Sequence, residues 1–297
     1  MLASRIGDPH AAAQRISLAG GGALVVRGTS GAAPIVFLHG IGGGAWSWEP
    51  QAVAFAQTRR TYAWEARGHG ETPRVADAGL GDFYDDACQA LAYVVRTEGR
   101  GAIVAGHSLG ALFALALAAS LPSDVAGLFL VEPVYLSGSS TFLPLSGIPG
   151  FGAVWLSFLL LLAEGFRYDV LPAHLYAHAI FARAFRDRAA MKRAWTNQQR
   201  QKPIEYRQAM LELTGAATRF PRRQFAQEVT CPVRLIEAAG LVSGMHSWHL
   251  VEQLRRRGLD FTRRQICGGH YLQLDREPAV TADLSEFIAT LNGTPTP

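Results

Sequence analysis

Short runs of apolar and β-branched residues recur along the chain, and segments of helical pattern separate several of them. Eight such runs predict strands: 15–20, 23–28, 34–40, 60–66, 101–106, 125–134, 232–238 and 259–266. Helical patterns lie over 82–98, 109–120 and 246–257. This alternation predicts an α/β fold, with a mainly parallel sheet that has helices on both faces. The first two runs are too close in sequence for a crossover helix, so we expect them to form an antiparallel hairpin.

The alternation breaks between about residues 135 and 229. A turn-rich stretch, "YLSGSSTFLPLSGIPG", is followed by helical patterns over 151–164, 173–200 and 204–216, with no run typical of a strand. We therefore predict a helical cap (lid) at 135–229, inserted into a core domain made of residues 1–134 and 230–297. The apolar run 151–163 is too short to span a bilayer, so no integral membrane segment is expected.

Composition and charge narrow the class of protein. Of the 297 residues 49% are hydrophobic and 18% are charged, as in ordinary globular domains. The net charge of +4 comes partly from short arginine runs at 222–223, 255–257 and 263–264, which have no aromatic residues between them. They favour solvated faces, and no nucleic-acid partner is expected. The three cysteines include no CxxC pair and the first residues lack an apolar secretory core, so we expect a cytoplasmic protein.

The segment "GHSLG", residues 106–110, contains the candidate nucleophile, Ser108. It follows a short apolar strand and begins a helix rich in Ala and Leu, which is the context of a nucleophile elbow. Glycines on either side let the chain turn sharply, so that the serine Oγ projects. The alternative is an ordinary strand-to-helix turn in which Ser108 only caps the helix.

Two further segments favour the catalytic interpretation. After His39-Gly40, a glycine-rich loop could present the Ile41 amide beside the Leu109 amide, forming an oxyanion hole with two donors. His270 follows the last predicted strand directly and is the candidate general base. For a single histidine the alternative is an ordinary surface or core residue.

Taken together, these motifs resemble the α/β-hydrolase superfamily. A strand followed by HG-x-G, then "AWEARGHGET", "GHSLG" and "GGHYLQLDREP", occur in that family's order over nearly the whole chain. The resemblance implies an eight-stranded sheet with a cap inserted after the sixth strand, and the chain order serine, acid, histidine. Glu65 stands where members more often carry Asp, at a position that is usually structural. A serine at the elbow argues against the branches with an aspartate nucleophile, the haloalkane dehalogenases and epoxide hydrolases.

The third member of the triad is less obvious. Most members carry it after the seventh strand, but "PVRLIEAAGLVSGMHS" contains no Asp, and its Glu237 lies within the strand itself. Glu132 ends the sixth strand, where the resemblance to certain dehalogenases and resorcylic-acid lactonases puts the acid. We therefore predict a triad of Ser108, His270 and Glu132, with a Glu132 oxygen about 2.6–3.2 Å from His270 Nδ1. Glu237 as the acid, and local pairing of Glu132, are the alternatives.

No metal or other cofactor is expected. His174 and His178, and likewise His246 and His249, could share a helix face, but neither pair has an HExxH pattern or a third ligand nearby. The sequence also contains no glycine-rich phosphate loop with a following lysine.

The predicted activity is hydrolysis of a hydrophobic carboxylic ester or lactone through an acyl-enzyme. The substrate class follows from the cap, whose aromatic and aliphatic side chains should line an apolar pocket, although some of them must pack the cap on the core. Its aromatic residues after the first helix include Tyr168, Tyr176, Phe181, Phe185 and Trp195. The alternatives are a C–C bond hydrolase, a cofactor-free peroxidase and a ligand receptor without catalysis. Composition says nothing about the oligomeric state.

Overall fold

The computed structural model describes residues 13–76, 78, 80–133, 185–199, 222–239 and 241–293. Their strands form one eight-stranded sheet in the order β1-β2-β4-β3-β5-β6-β7-β8. The strands are β1 Gln14–Ser17, β2 Ala23–Arg27, β3 Ile35–Leu38, β4 Thr61–Glu65, β5 Ala102–His107, β6 Val125–Val131, β7 Val233–Ala238 and β8 Phe261–Ile266. β2 is antiparallel to β1 and to β4, and all other neighbours are parallel. The predicted α/β fold, with its mainly parallel sheet and initial hairpin, is confirmed.

Helices cover both faces of this sheet. They are α1 Glu49–Ala56, α2 Leu80–Glu98, α3 Leu109–Ser120, α4 Arg188–Gln199, α5 Arg222–Glu228, α6 Leu241–Arg256, α7 Leu272–Asp275 and α8 Glu277–Leu291, with a 3-10 turn at Ala45–Trp48. Two predicted helices, 82–98 and 109–120, agree closely with α2 and α3. The third, predicted over 246–257, begins earlier, at Leu241.

The core has two layers because the central strands carry apolar residues on both faces. Every residue of β3, "IVFL", is buried. Side chains of α2, α3 and α6 pack on one face of the sheet, and those of α1 and α8 pack on the other. A parallel sheet requires this cover on both sides. The edge strand β8, "FTRRQI", is largely exposed, and its arginines discourage pairing with another strand.

The predicted cap lies between β6 and β7. In that interval the structure describes α4, α5 and the residues beside them, whereas the turn-rich stretch and the predicted helix over 151–164 lie outside the described residues. The boundaries of the cap therefore stay a prediction. Within the described ranges no helix is both long enough and apolar enough to cross a membrane.

Candidate active site

The candidate residues follow four strands that end at the same edge of the sheet. Ser108 comes directly after β5 and Glu132 directly after β6, while Ile41 follows β3 and His270 follows β8. These strands are all parallel to one another, so the loops beyond their carboxyl ends are brought together. Crevices at this edge are the usual ligand sites of open α/β sheets.

Ser108 occupies a strained turn between β5 and α3. Its φ of 54° and ψ of −115° lie outside the ordinary strand and helix regions. The Ser108 side chain makes no capping hydrogen bond to α3, so the structure does not support the alternative in which Ser108 only caps the helix. Strain of this kind costs about 1–3 kcal/mol and is concentrated at functional sites.

The two glycines of the elbow are required by close packing. A Cβ on Gly106 would lie 2.4 Å from the Gly110 carbonyl oxygen, and one on Gly110 would lie 2.3 Å from the Leu38 carbonyl oxygen. The Ser108 N–H donates to the Val131 carbonyl oxygen at 2.9 Å, which ties the elbow to β6. In the described part of the chain, Ser108 Oγ itself makes no hydrogen bond.

Glu132 is the second non-glycine residue with positive φ, at 50°; among the described residues only Ser108 shares this feature. The Glu132 side chain is buried, and its Oε1 accepts the Ala238 N–H at 2.5 Å. Its Oε2 lies 3.3 Å from His270 Nδ1, just beyond the predicted window. A carboxylate so placed can hold the imidazole with its proton on Nδ1, leaving Nε2 available to accept one.

Glu237, the alternative acid, is engaged elsewhere. It is almost fully buried, its Oε1 accepts a hydrogen bond from the Ser247 hydroxyl, and its Oε2 pairs with the Arg263 guanidinium. Both carboxylate oxygens of Glu237 therefore have partners, one on α6 and one on β8.

The candidate oxyanion loop is fastened by a buried histidine. His39 Nδ1 donates to the Gly40 carbonyl oxygen at 2.7 Å, and its Nε2 accepts the Ala66 N–H at 3.1 Å. Burial lowers the pKa of His39 to about 4, so the ring is neutral, as this pair of bonds requires. The backbone N–H groups of Ile41 and Leu109 donate to no acceptor among the described residues.

Glu65 has the structural position expected from the third motif. Its carboxylate accepts the Glu71 N–H and the Thr72 hydroxyl, each at 3.0 Å, and pairs with Arg15 of β1 at 2.5 Å. A Cβ on Gly70 would lie 1.8 Å from Glu65 Oε1, so this glycine leaves room for the carboxylate. The longer glutamate thus fills the loop and also reaches the first strand.

Sequence reasoning missed His107, the residue between Gly106 and Ser108. Its Nε2 donates to the His270 carbonyl oxygen at 2.9 Å, and the two rings lie 4.8 Å apart. Burial is the main reason why the pKa of His107 is well below its usual value, and the nearby His270 lowers this pKa further, so the His107 ring stays neutral. A polar residue that ends an otherwise apolar strand was the available signal.

Asp275 was also missed, although it lies within the last motif. It is buried, and its Oδ2 accepts the N–H of Gly269, the residue before His270, at 2.7 Å.

Of the histidine pairs considered as metal ligands, His174 and His178 lie outside the described residues, and so does the side chain of His246.

The family model described as "Alpha/beta hydrolase family" matches residues 35–284. The chain is 33% identical over 104 residues to the (E)-2-((N-methylformamido)methylene)succinate hydrolase of Acinetobacter baylyi, which is 34% of this chain and 38% of that relative's length.

Two solved structures share the fold over nearly the whole chain. The enol-lactonase from Burkholderia xenovorans LB400 has a TM-score of 0.70 at 17% identity, covering 93% of this chain and 100% of that one. The thermophilic esterase from Thermogutta terrifontis has a TM-score of 0.71 at 15% identity, covering 94% and 99%.

Proposed function

The chain belongs to the alpha/beta hydrolase family, and on that basis we propose that it is a serine hydrolase. It cleaves a hydrophobic carboxylic ester or lactone through an acyl-enzyme. Ser108 is the nucleophile, His270 the general base and Glu132 the acid of the triad. The amides of Ile41 and Leu109 form the oxyanion hole.

The proposed reaction has two steps. His270 Nε2 takes the Ser108 proton as Oγ attacks the carbonyl carbon, and the two amides stabilise the oxyanion. The imidazolium then gives this proton to the departing alkoxide, which leaves as the alcohol or, in a lactone, as the free end of the opened ring. Water, deprotonated by His270, next attacks the acyl-enzyme and releases the acid.

One observation carries the proposal: the contact of 3.3 Å between Glu132 Oε2 and His270 Nδ1, at the edge of the sheet where Ser108 has its strained elbow. A glutamate that only paired locally would not need φ of 50°, which costs free energy. That cost is understandable if the conformation directs the carboxylate at the base.

The apolar substrate class is supported by an aromatic cluster beside His270. Phe185 and Tyr271 stack with ring centroids 5.0 Å apart, and the Tyr271 ring lies 5.9 Å from that of His270. The cluster also contains Ala190, Ala194 and the partly buried Trp46, Met191 and Leu274. Apolar side chains at this place suit a hydrophobic acyl or alcohol group, and the structural neighbours include an esterase and an enol-lactonase.

A cytoplasmic location is part of the proposal. Cys88, Cys231 and Cys267 are the three cysteines of the chain, and none of them forms a disulfide. Free thiols are usual in a reducing compartment.

The experiment combines turnover with covalent labelling. The protein should hydrolyse p-nitrophenyl butyrate, and a fluorophosphonate probe should add one equivalent of mass at Ser108. Ser108→Ala should abolish labelling and reduce turnover by several orders of magnitude, because the triad acts as a unit. Ser123→Ala, at an exposed serine after α3, is the matched control and should behave as the wild type. A Ser108→Ala protein that keeps a tenth of the activity would refute the assignment.

The alternatives predict other outcomes. A C–C bond hydrolase would prefer a diketone-like substrate to any ester, and a cofactor-free peroxidase would need peroxide for its turnover. A receptor without catalysis would bind a ligand but turn over no ester in the screen.

A further inference from the structure

Asp275 connects two parts of the chain that are far apart in sequence. Its Oδ2 accepts the Gly269 N–H at 2.7 Å, directly before His270. Its Oδ1 accepts the backbone N–H groups of Arg186 and Asp187, at 2.9 and 2.5 Å. These two residues belong to residues 185–194 of the predicted cap, which are called the return segment below.

The return segment also packs directly on the histidine loop. Phe185 lies parallel to Tyr271, at an interplanar angle of 4°. The Asp187 carboxylate accepts the N–H groups of Ala189 and Ala190, so it caps the start of α4. The segment therefore has a defined conformation where it meets Asp275.

Asp275 is 4% exposed, and burial of a carboxylate is costly unless hydrogen bonds compensate for it. Three backbone donors on two oxygens provide that compensation, and hydrogen bonds to an ionised acceptor are about twice as strong as neutral ones. Because the donors come from both segments, loss of the carboxylate would release both at once.

On these grounds we propose that Asp275 is a positioning residue, which holds the His270 loop and the return segment in one arrangement. The proposal rests on the proposed function, since it gives His270 the role of base. Asp275 acts through the Gly269 backbone on the placement of the imidazole, and through the Arg186 and Asp187 backbone on the aromatic cluster beside it.

The test compares Asp275→Asn and Asp275→Ala with the wild type, on the acetate and hexanoate p-nitrophenyl esters. Asparagine keeps one accepting oxygen, so either the Gly269 contact or the return-segment contact must be lost. Alanine loses both. Assays are run well below the measured Tm of each variant, so that unfolding does not contribute.

If asparagine loses the Gly269 contact, and in the alanine variant in every case, we expect a roughly 10- to 100-fold fall in kcat for the acetate ester, as for a small misplacement of a catalytic group. Its KM should change little, whereas KM for the hexanoate ester should rise in the alanine variant. The control is Asp283→Asn: Asp283 is equally buried and pairs with Arg234 and Arg264, so this change should lower Tm and leave kcat as in the wild type. A wild-type kcat in the alanine variant, which loses all of these contacts, would overturn the proposal.

Hydrogen exchange of the wild-type protein provides a measurement that needs no folded variant. The amides of Arg186, Asp187 and Gly269 should be protected and should exchange together, since one carboxylate binds all three. Free exchange of the Gly269 amide would overturn the proposal even if no variant folds. Full activity of Ser108→Ala would instead refute the proposed function, and the exchange result would still decide the role of Asp275.

Discussion

Replacement of Glu132 by glutamine tests the acid of the triad at almost constant volume. Glu132 Oε1 accepts the Ala238 N–H, and Oε2 faces His270 Nδ1. Glutamine has one accepting oxygen and one NH2 group, so only one of these two contacts can keep its acceptor.

The structure indicates which contact changes. The Ala238 N–H is a fixed donor, whereas an imidazole can move its proton from one nitrogen to the other. The glutamine oxygen should therefore stay on Ala238, and its NH2 group should face His270 Nδ1. That arrangement favours the tautomer with the proton on Nε2, which cannot accept the Ser108 proton. Loss of the correct tautomer in a serine triad costs about 10³–10⁴ in kcat, and we expect this magnitude.

Glu237→Gln is the matched control, because it changes the same groups at a buried glutamate one strand away. It breaks the pair with Arg263 and should lower the free energy of unfolding by about 1–3 kcal/mol, as for a hydrogen bond to a charged group. Its kcat should stay close to that of the wild type.

The assay is steady-state hydrolysis of p-nitrophenyl butyrate, with urea unfolding as the measure of stability. The reasoning would be refuted if Glu237→Gln lost more kcat than Glu132→Gln, which would move the acid to Glu237. Near-normal kcat in both variants would leave Ser108 and His270 acting as a dyad.

Three other expectations follow from the same structure. Burial lowers the pKa of His39 to about 4 and of His69 to about 3, against 6.5 for a free imidazole. As the pH falls, these two histidines therefore take up a proton in the unfolded chain before they do so in the folded one. The stability that these two histidines contribute should be fully present above pH 6.5. Below it the free energy of unfolding should decrease by about 1.4 kcal/mol per pH unit for each histidine, as urea unfolding at pH 7 and 5 would measure. From acetyl to hexanoyl esters kcat/KM should rise, because each buried methylene can stabilise the transition state by up to about 0.8 kcal/mol. A flat profile would count against an apolar pocket. Gly110→Ala should yield little folded protein, because its Cβ would lie 2.3 Å from the Leu38 carbonyl oxygen, and a normal Tm would contradict this packing.

The sequence determined those features that depend on near neighbours in the chain. Strand runs and helical periods are local, so the sheet and two of its helices could be predicted with small boundary errors. The elbow is local too: "GHSLG" contains both the serine that takes the strained conformation and the glycines that make room for it. Ser108 and His270 could therefore be proposed as site residues from their segments alone.

Only the tertiary structure decided which side chains meet. Glu132 and Glu237 are both carboxylates at the carboxyl-terminal part of a strand, and no local pattern says which of them faces the histidine loop. The registers of β6 against β7 and of β7 against β8 decide it, by directing Glu132 at His270 and Glu237 at Arg263. The contacts of His107 and Asp275 join segments far apart in sequence, and a hydrogen bond requires both partners within about 3 Å. Such a distance follows from the packing of the whole sheet, which no short stretch of sequence contains.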